Sequence, residues 1–235
     1  MEEVKALLFD VFGTVVDWRS GVIDQLSSLG SERGIRADWP LIADEWRDLY
    51  QPSLEEVRSG RRPWTVLDPL HRESLVKLLQ RHEIAGFDED DIDRLTLSWH
   101  RLPPWSDSVE GIVRLKRRYI VSTLSNGHTA LLVNMAKHAG LPWDVILGAE
   151  TARAYKPLPE AYLRNIEMLG LAPGQCMMVA AHQDDLEAAS AVGMRTAYVM
   201  RPNEFGPGRV RDLTPVEDWD QCNDSIARLA EAMGC

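Results

Sequence analysis

The sequence has no run of about 18 apolar residues, so nothing in it reads as a membrane-spanning helix. Its start, MEEVKALLFD, is acidic. It lacks the basic opening, long apolar stretch and small-residue cleavage site of a signal peptide. A cytoplasmic location away from membranes is therefore expected. Lys and Arg are not in excess, and the formal net charge of −10 leaves no cationic surplus to neutralise phosphates, so a nucleic-acid partner is not expected. Only three cysteines occur, Cys176, Cys222 and Cys235, with no CxxC or Cys/His ligand spacing. An odd count suits a reducing compartment. Internal repeats and low-complexity tracts are absent too. What is present is ordinary globular composition, 235 residues with 45% hydrophobic and 26% charged content, enough for a sizeable core. A small-molecule substrate is the partner such a chain points to.

Short apolar runs bounded by turn or charged residues recur at 3–9 (EVKALLF), 118–124 (RYIVSTL), 144–148 (DVILG), 176–181 (CMMVAA) and 195–200 (RTAYVM). They read as buried parallel strands. Between them, 108–117, 127–139, 158–169 and 184–193 carry apolar residues at helical spacing. This alternation predicts an α/β fold with an open parallel, Rossmann-like sheet. Residues 19 to about 102 break the pattern, because they hold amphipathic helical stretches such as 40–50 and 70–81 and no convincing strand. We expect a helical cap domain, 18–103, inserted after the first strand into a core domain of 1–17 and 104–235. Pro103-Pro104 would mark the return to the sheet, since paired prolines resist helix continuation.

In such sheets ligands bind beyond the carboxyl ends of the strands. Asp10 lies at that end of the first strand, Ser125-Asn126 at that of the second, Asp184-Asp185 at that of the fourth, and Lys156 a short loop after the third. Each alone could cap a turn or a helix. Four segments delivering polar groups to one edge predict a site.

DVFGTV, LSN, the lysine of YKPLPEAY and the acidic pair of AAHQDDLEAA resemble, in order and spacing, the four motifs of the haloacid dehalogenase superfamily. The resemblance covers nearly the whole chain. Phosphatases of that superfamily carry a second Asp two residues after the nucleophile, where it acts as general acid and helps hold Mg²⁺. Here that position is Phe12. A carboxylate attacking a phosphate dianion needs a divalent cation and a proton donor, whereas displacing halide from saturated carbon needs neither. DEWRDLY is similar to the cap segment of the L-2-haloacid dehalogenases, in which an arginine faces the active site, and Arg47 matches it. A guanidinium suits an organic carboxylate or a leaving halide.

The resemblance implies an (S)-2-haloacid dehalogenase, a hydrolase acting on carbon–halide bonds without cofactor or metal. It would convert short 2-haloacids to 2-hydroxyacids through an ester on Asp10, with inversion at the α-carbon. Lys156 would keep Asp10 ionised, and Asp185 would orient Lys156 and the hydrolytic water. Thr14, Ser125 and Asn126 would bind the substrate carboxylate and orient Asp10, with Phe12, Trp64 and Tyr162 around the pocket. Many relatives have Ser and Asn where this chain has Ala180 and His182, so His182 would replace the amide as a hydrogen-bond partner or act as a base in ester hydrolysis. The AHxDD variant resembles a branch that includes enzymes acting on fluoroacetate. His128 reads as helix surface or rim. A Mg²⁺-dependent phosphatase and a non-catalytic interaction protein on the same fold are the alternatives, and a homodimer is left open.

Overall fold

A computed structural model describes residues 3–207, 209 and 212–235. The first two residues of the expected core segment 1–17 lie outside them. Six parallel strands form one sheet: β1 (Ala6–Phe9), β2 (Ile120–Ser125), β3 (Val145–Gly148), β4 (Cys176–Ala180), β5 (Arg195–Val199) and β6 (Gln221–Asn223). Their order is β3-β2-β1-β4-β5-β6. The chain winds outward from β1 through β2 and β3, then returns to start β4 on β1's other side. The sheet therefore switches direction at β1, where open α/β sheets form their crevice.

Alternation along β1 shows why the run ALLF makes a central strand. Leu7 and Phe9 enter one apolar cluster, Ala6 and Leu8 the other, and all four are fully buried. The cluster containing Leu7 and Phe9 continues into the helical insert. That insert holds α1 (Trp18–Arg33), α2 (Trp39–Asp48), α3 (Tyr50–Arg58), α4 (Leu67–Arg81), α5 (Glu89–Thr96) and a 3₁₀ turn, Leu97–His100. The expected continuous helix over 40–50 is broken at Leu49 into α2 and α3. Trp99 ties the insert together, with Trp18, Trp46 and His71 packed around its ring and Phe12 edge-on at 6.0 Å. The insert's two ends meet where Asp17 N–H donates to the Pro103 carbonyl at 2.9 Å and Trp105 N–H to that of Val15 at 3.0 Å.

The remaining helices, α6 (Ser108–Leu115), α7 (Thr129–Ala139), α8 (Ala149–Ala152), α9 (Pro159–Met168), α10 (Gln183–Ala191) and α11 (Ile226–Ala232), accompany the strands. No helix among the described residues is long and apolar enough to cross a membrane. His128, which the sequence placed at the rim, is buried at 7% exposure. It precedes α7 under the insert, where its Nε2 faces Asp68 of α4 at 3.4 Å. The sequence could not show this, because the partner is 60 residues away.

The loop after β5 is anchored by Arg201. Its Nε donates to the Thr14 carbonyl at 2.9 Å, and its two terminal nitrogens to Asp107 at 2.7 and 3.0 Å. Asp107 also accepts the backbone N–H of Ile226 at 2.6 Å. Asp107→Ala would leave the buried Arg201 cation without its carboxylate. We expect a loss of about 3 kcal/mol in unfolding free energy, of the order seen when one partner of a buried pair is removed. Urea denaturation checks this, and a change within 0.5 kcal/mol would contradict it.

Candidate active site

Asp10 follows β1 directly, its backbone N–H still bound to the Val179 carbonyl of β4 at 2.9 Å. Its carboxylate thus stands at the switch point, with 7% of the residue exposed. Oδ1 accepts from Lys156 Nζ at 2.9 Å. Oδ2 accepts from the Thr14 hydroxyl at 2.8 Å and meets His182 Nδ1 at 3.0 Å. Burial alone would push the Asp10 carboxyl up, but the Lys156 ammonium and the His182 contact outweigh it and hold the group well below the usual carboxylate range.

Lys156 is set from two sides. Its backbone N–H donates to Asn126 Oδ1 at 2.8 Å, and its carbonyl accepts Arg58 Nη1 of α3 at 2.8 Å. Its ammonium binds both Asp10 and Asp185. Burial opposes the charge, yet the two carboxylates raise the Lys156 pKa above its ordinary value. Asp185, in the first turn of α10, takes a second hydrogen bond from the Tyr162 hydroxyl at 2.6 Å. Burial and the nearby charge of Asp10 push Asp185 upward.

A residue that the sequence reading did not single out completes the site. Glu204 Oε1, in the loop after β5, lies 2.9 Å from His182 Nε2 and 3.3 Å from Trp18 Nε1. Its side chain occupies the space over Gly13, where a Cβ would come within 2.2 Å of Oε1 and the backbone φ is +85°. Only glycine fits that turn. Burial would lower the His182 pKa, but the charge of Glu204 and the hydrogen bonds to Asp10 and Glu204 raise it to about 10. The strand-end rule applied to β5 as well would have drawn attention to this acidic loop.

A cavity of about 500 Å³ opens above Asp10. Phe12, Arg47, Asn126, Lys156, Tyr162, His182 and Asp185 line it, joined by Tyr50, Arg58 and Phe205. Arg47 lies over the Tyr50 ring at 4.5 Å and the Trp18 ring at 5.5 Å, while its Nη1 is buried and has no hydrogen-bond partner. Three expected pocket residues are placed elsewhere. Trp64 packs at a tilt on Tyr155, ring centroids 4.9 Å apart, because this aromatic of the insert packs against the core rather than into the cavity. Ser125 Oγ turns back to accept the Gly127 N–H at 3.1 Å. Thr14, fully buried, donates to Asp10 and accepts the Ala181 N–H at 2.8 Å, so its hydroxyl orients the carboxylate and has no donor left for a ligand.

Fold and site together define a parallel α/β protein built around a buried carboxylate–ammonium centre at the sheet's switch point. A family model for haloacid dehalogenase-like hydrolases matches residues 4–193, and the chain belongs to that family. A solved defluorinating L-2-haloacid dehalogenase is 46% identical with a TM-score of 0.96, over 99% of this chain and 96% of that one. Another solved L-2-haloacid dehalogenase is 44% identical with a TM-score of 0.95, over 98% and 99%. The (S)-2-haloacid dehalogenase 4A of Burkholderia cepacia is 26% identical over 249 residues, 98% of this chain and 100% of that protein.

The raised His182 pKa has a readable consequence. Stability drawn from its cation is fully present below pH 6.5 and lost as pH climbs to about 10. Glu204→Gln removes the charge that does most to support it. The His182 ring midpoint, followed by NMR, should then fall by at least ~1 unit, a change of about 1.4 kcal/mol. An unchanged midpoint would show that Asp10 alone holds the proton.

Proposed function

We propose that the chain hydrolyses short-chain 2-haloacids of S configuration to 2-hydroxyacids, with Asp10 as the nucleophile. The observation that carries this reading is an ionised, buried Asp10 beside Phe12 rather than beside a second carboxylate, in one cavity with an unpaired Arg47 nitrogen. The named activities of the relatives support the same reading. The relative described as defluorinating supports fluoride as a leaving group, and with the AHxDD variant of the sequence we include fluoroacetate in the substrate class. The three cysteines, none of them paired in a disulfide, support a cytoplasmic enzyme.

Oδ1 of Asp10 accepts one hydrogen bond, from Lys156, while Oδ2 is held by Thr14 and His182. The less encumbered Oδ1 attacks the α-carbon opposite the halogen. A carbon–oxygen bond forms, the carbon–halogen bond breaks, and halide leaves with the electron pair. Arg47 grips the substrate carboxylate or the departing halide through a charge-assisted hydrogen bond. The segment 18–103 acts as a cap that supplies Arg47 and excludes water, and the core supplies the nucleophile. Holding carbon and carboxylate in line replaces entropy that free reactants would lose, roughly 7–11 kcal/mol in well-oriented models.

Ester formation then changes His182. Alkylated Asp10 carries no charge, so its attraction for the imidazolium is lost, while Oδ2, now the ester carbonyl, and Glu204 still meet the ring. The imidazolium releases its Nε2 proton to solvent more readily, and the neutral His182 then takes a proton from a water attacking the Asp10 carbonyl carbon. Thr14 and the His182 Nδ1–H, which face Oδ2, stabilise the oxyanion that develops there. Collapse breaks the bond between the Asp10 carbonyl carbon and the ester oxygen, the departing alkoxide takes the proton from His182 to give the 2-hydroxyacid, and the Asp10 carboxyl ionises by returning its own proton to His182.

A single turnover with enzyme in excess, run on 2-chloropropionate in ¹⁸O-water with EDTA present, tests the route. Halide release should persist in EDTA, and label should enter the peptide LLFDVFGTVVDW rather than the product hydroxyl. Label in product alone would make Asp10 a general base. Hydrolysis of p-nitrophenyl phosphate at comparable rate would overturn the whole reading.

Arg47→Ala should lower kcat/KM by at least about tenfold, since losing one charge-assisted bond of ~1.4 kcal/mol costs that factor. Arg47→Lys should recover part of it, because a point charge lacks the planar fork. A kcat/KM for Arg47→Ala within twofold of wild type would remove Arg47 from substrate binding.

A further inference from the structure

The seam between the helical insert and the sheet carries a second cluster of titratable groups that the chemistry above does not use. Asp68 comes from the first turn of α4, His100 from the end of the 3₁₀ turn that leads to Pro103, and His128 from the loop after β2. Three segments of chain, two in the insert and one in the core, thus converge on one point. His100 Nε2 is 2.9 and 3.1 Å from the two Asp68 oxygens, and His128 Nε2 is 3.4 Å from Oδ2. One ligand atom from each residue lies within 4.8 Å of the other two. The histidines are 4% and 7% exposed.

We propose that Asp68, His100 and His128 form a binding site for a divalent transition-metal ion of the zinc class. The donor set decides the class. Two imidazole nitrogens and one carboxylate suit zinc, cobalt or nickel, whereas calcium and magnesium take oxygen ligands. Spacing agrees as well. Ligand atoms ~2.0–2.1 Å from a tetrahedral ion stand roughly 3.3 Å apart. The His-to-carboxylate separations here, 2.9 to 3.4 Å, bracket that edge, and the ligand atoms of the two histidines lie within 4.8 Å of each other. An ion can therefore enter with small side-chain shifts. The Asn134 amide nitrogen sits 3.0 Å from His100 Nδ1; with the carboxamide turned over, its oxygen would accept the Nδ1–H as outer partners of metal-bound histidines do.

A plain hydrogen-bonded triad accounts for these groups less completely. Asp68 serves His100 well, but His128 Nε2 reaches it only through a long contact of 3.4 Å, a weak return for a ring buried to 7% exposure. A shared ion would engage both histidines and the carboxylate together. Because it would bridge insert and core, its effect falls on the closure and stability of the cap. The carbon–halogen chemistry proceeds without it, and the site stands whether or not that activity is right.

The test uses the full chain, stripped with EDTA and desalted, with Zn²⁺ and Co²⁺ as probes. Calorimetry should give one equivalent of Zn²⁺ with a Kd below about 10 µM, well within what a His and carboxylate site provides. At ~100-fold excess over Kd the melting temperature should rise by about 5–10 °C. Co²⁺ should give visible absorption of a four- or five-coordinate site. His128→Gln and Asp68→Asn should each weaken Zn²⁺ binding at least tenfold while the metal-free protein still melts cooperatively. Should His128→Gln fail to fold, Asp68→Asn with the Co²⁺ spectrum decides alone. A Kd weaker than about 10 µM, or binding that both variants leave unchanged, overturns the proposal. Binding abolished by His182→Gln overturns it too, because the ion would then sit at the active site.

Discussion

The ion pair between Asp10 and Lys156 is the constraint around which the molecule is arranged. A carboxylate with 7% exposure would ordinarily take up a proton, and a protonated carboxyl cannot act as a nucleophile. An ammonium at 2.9 Å reverses that preference. The lysine then faces the same problem, and the second carboxylate, Asp185, answers it from the next strand along. Tyr162, whose own pKa burial keeps high, donates to Asp185 and keeps it turned toward Lys156. Each charge is thus tolerable only because its neighbour is held in place. The holding is done by backbone at the ends of β1 and β4 and in the loop after β3, which a rigid parallel sheet fixes relative to one another.

The helical insert belongs to the same arrangement. Arg58 of α3 binds the Lys156 carbonyl, Tyr155 donates to the Thr65 carbonyl at 2.7 Å, and Phe12 leans on Trp99 at the centre of the insert's aromatic cluster. Two of these contacts touch the active-site lysine or the residue before it. The residues that hold Asp10 ionised and those that cover it are therefore direct neighbours, an arrangement that suits the proposed chemistry, in which a small acid is admitted and water excluded.

Much of this was legible in the sequence because strand ends can be read from apolar runs. Asp10, Asn126, Lys156 and Asp185 each follow such a run closely, and the sheet brings them together whatever the loops do. What could not be read depends on contacts between segments with no common period. Glu204 acts by reaching over Gly13 to His182, and although its place after β5 marks the loop, nothing in the sequence pairs it with a histidine after β4. His128 is buried by an aspartate of the insert. Trp64 is an aromatic whose facing is set by Tyr155. α1 gives a weak apolar pattern because two of its six buried residues are Gly21 and Gly30, which lie tight against Pro103 and Trp39. β6 is only three residues long and none of them is buried.

Phe12 shows how one side chain can select the chemistry of such a site. Asp10, Asp185 and Glu204 already set three carboxylates against the two cations Lys156 and His182. A fourth carboxylate at position 12 would stand beside Asp10 with no further cation among these residues to meet it. That arrangement calls for a divalent ion, and it is suited to a phosphate, whose charge the ion also offsets. With Phe12 the demand does not arise, because Lys156 alone matches Asp10 and the ring presents apolar surface to the cavity. The leaving group must then be one that departs as a stable anion without a proton. Arg47, positioned by Trp18 and Tyr50 with a nitrogen left unpaired, offers the charge that such an anion or its carboxylate needs. The preference for carbon–halogen over phosphorus–oxygen chemistry thus follows from where charge is withheld as much as from where it is placed.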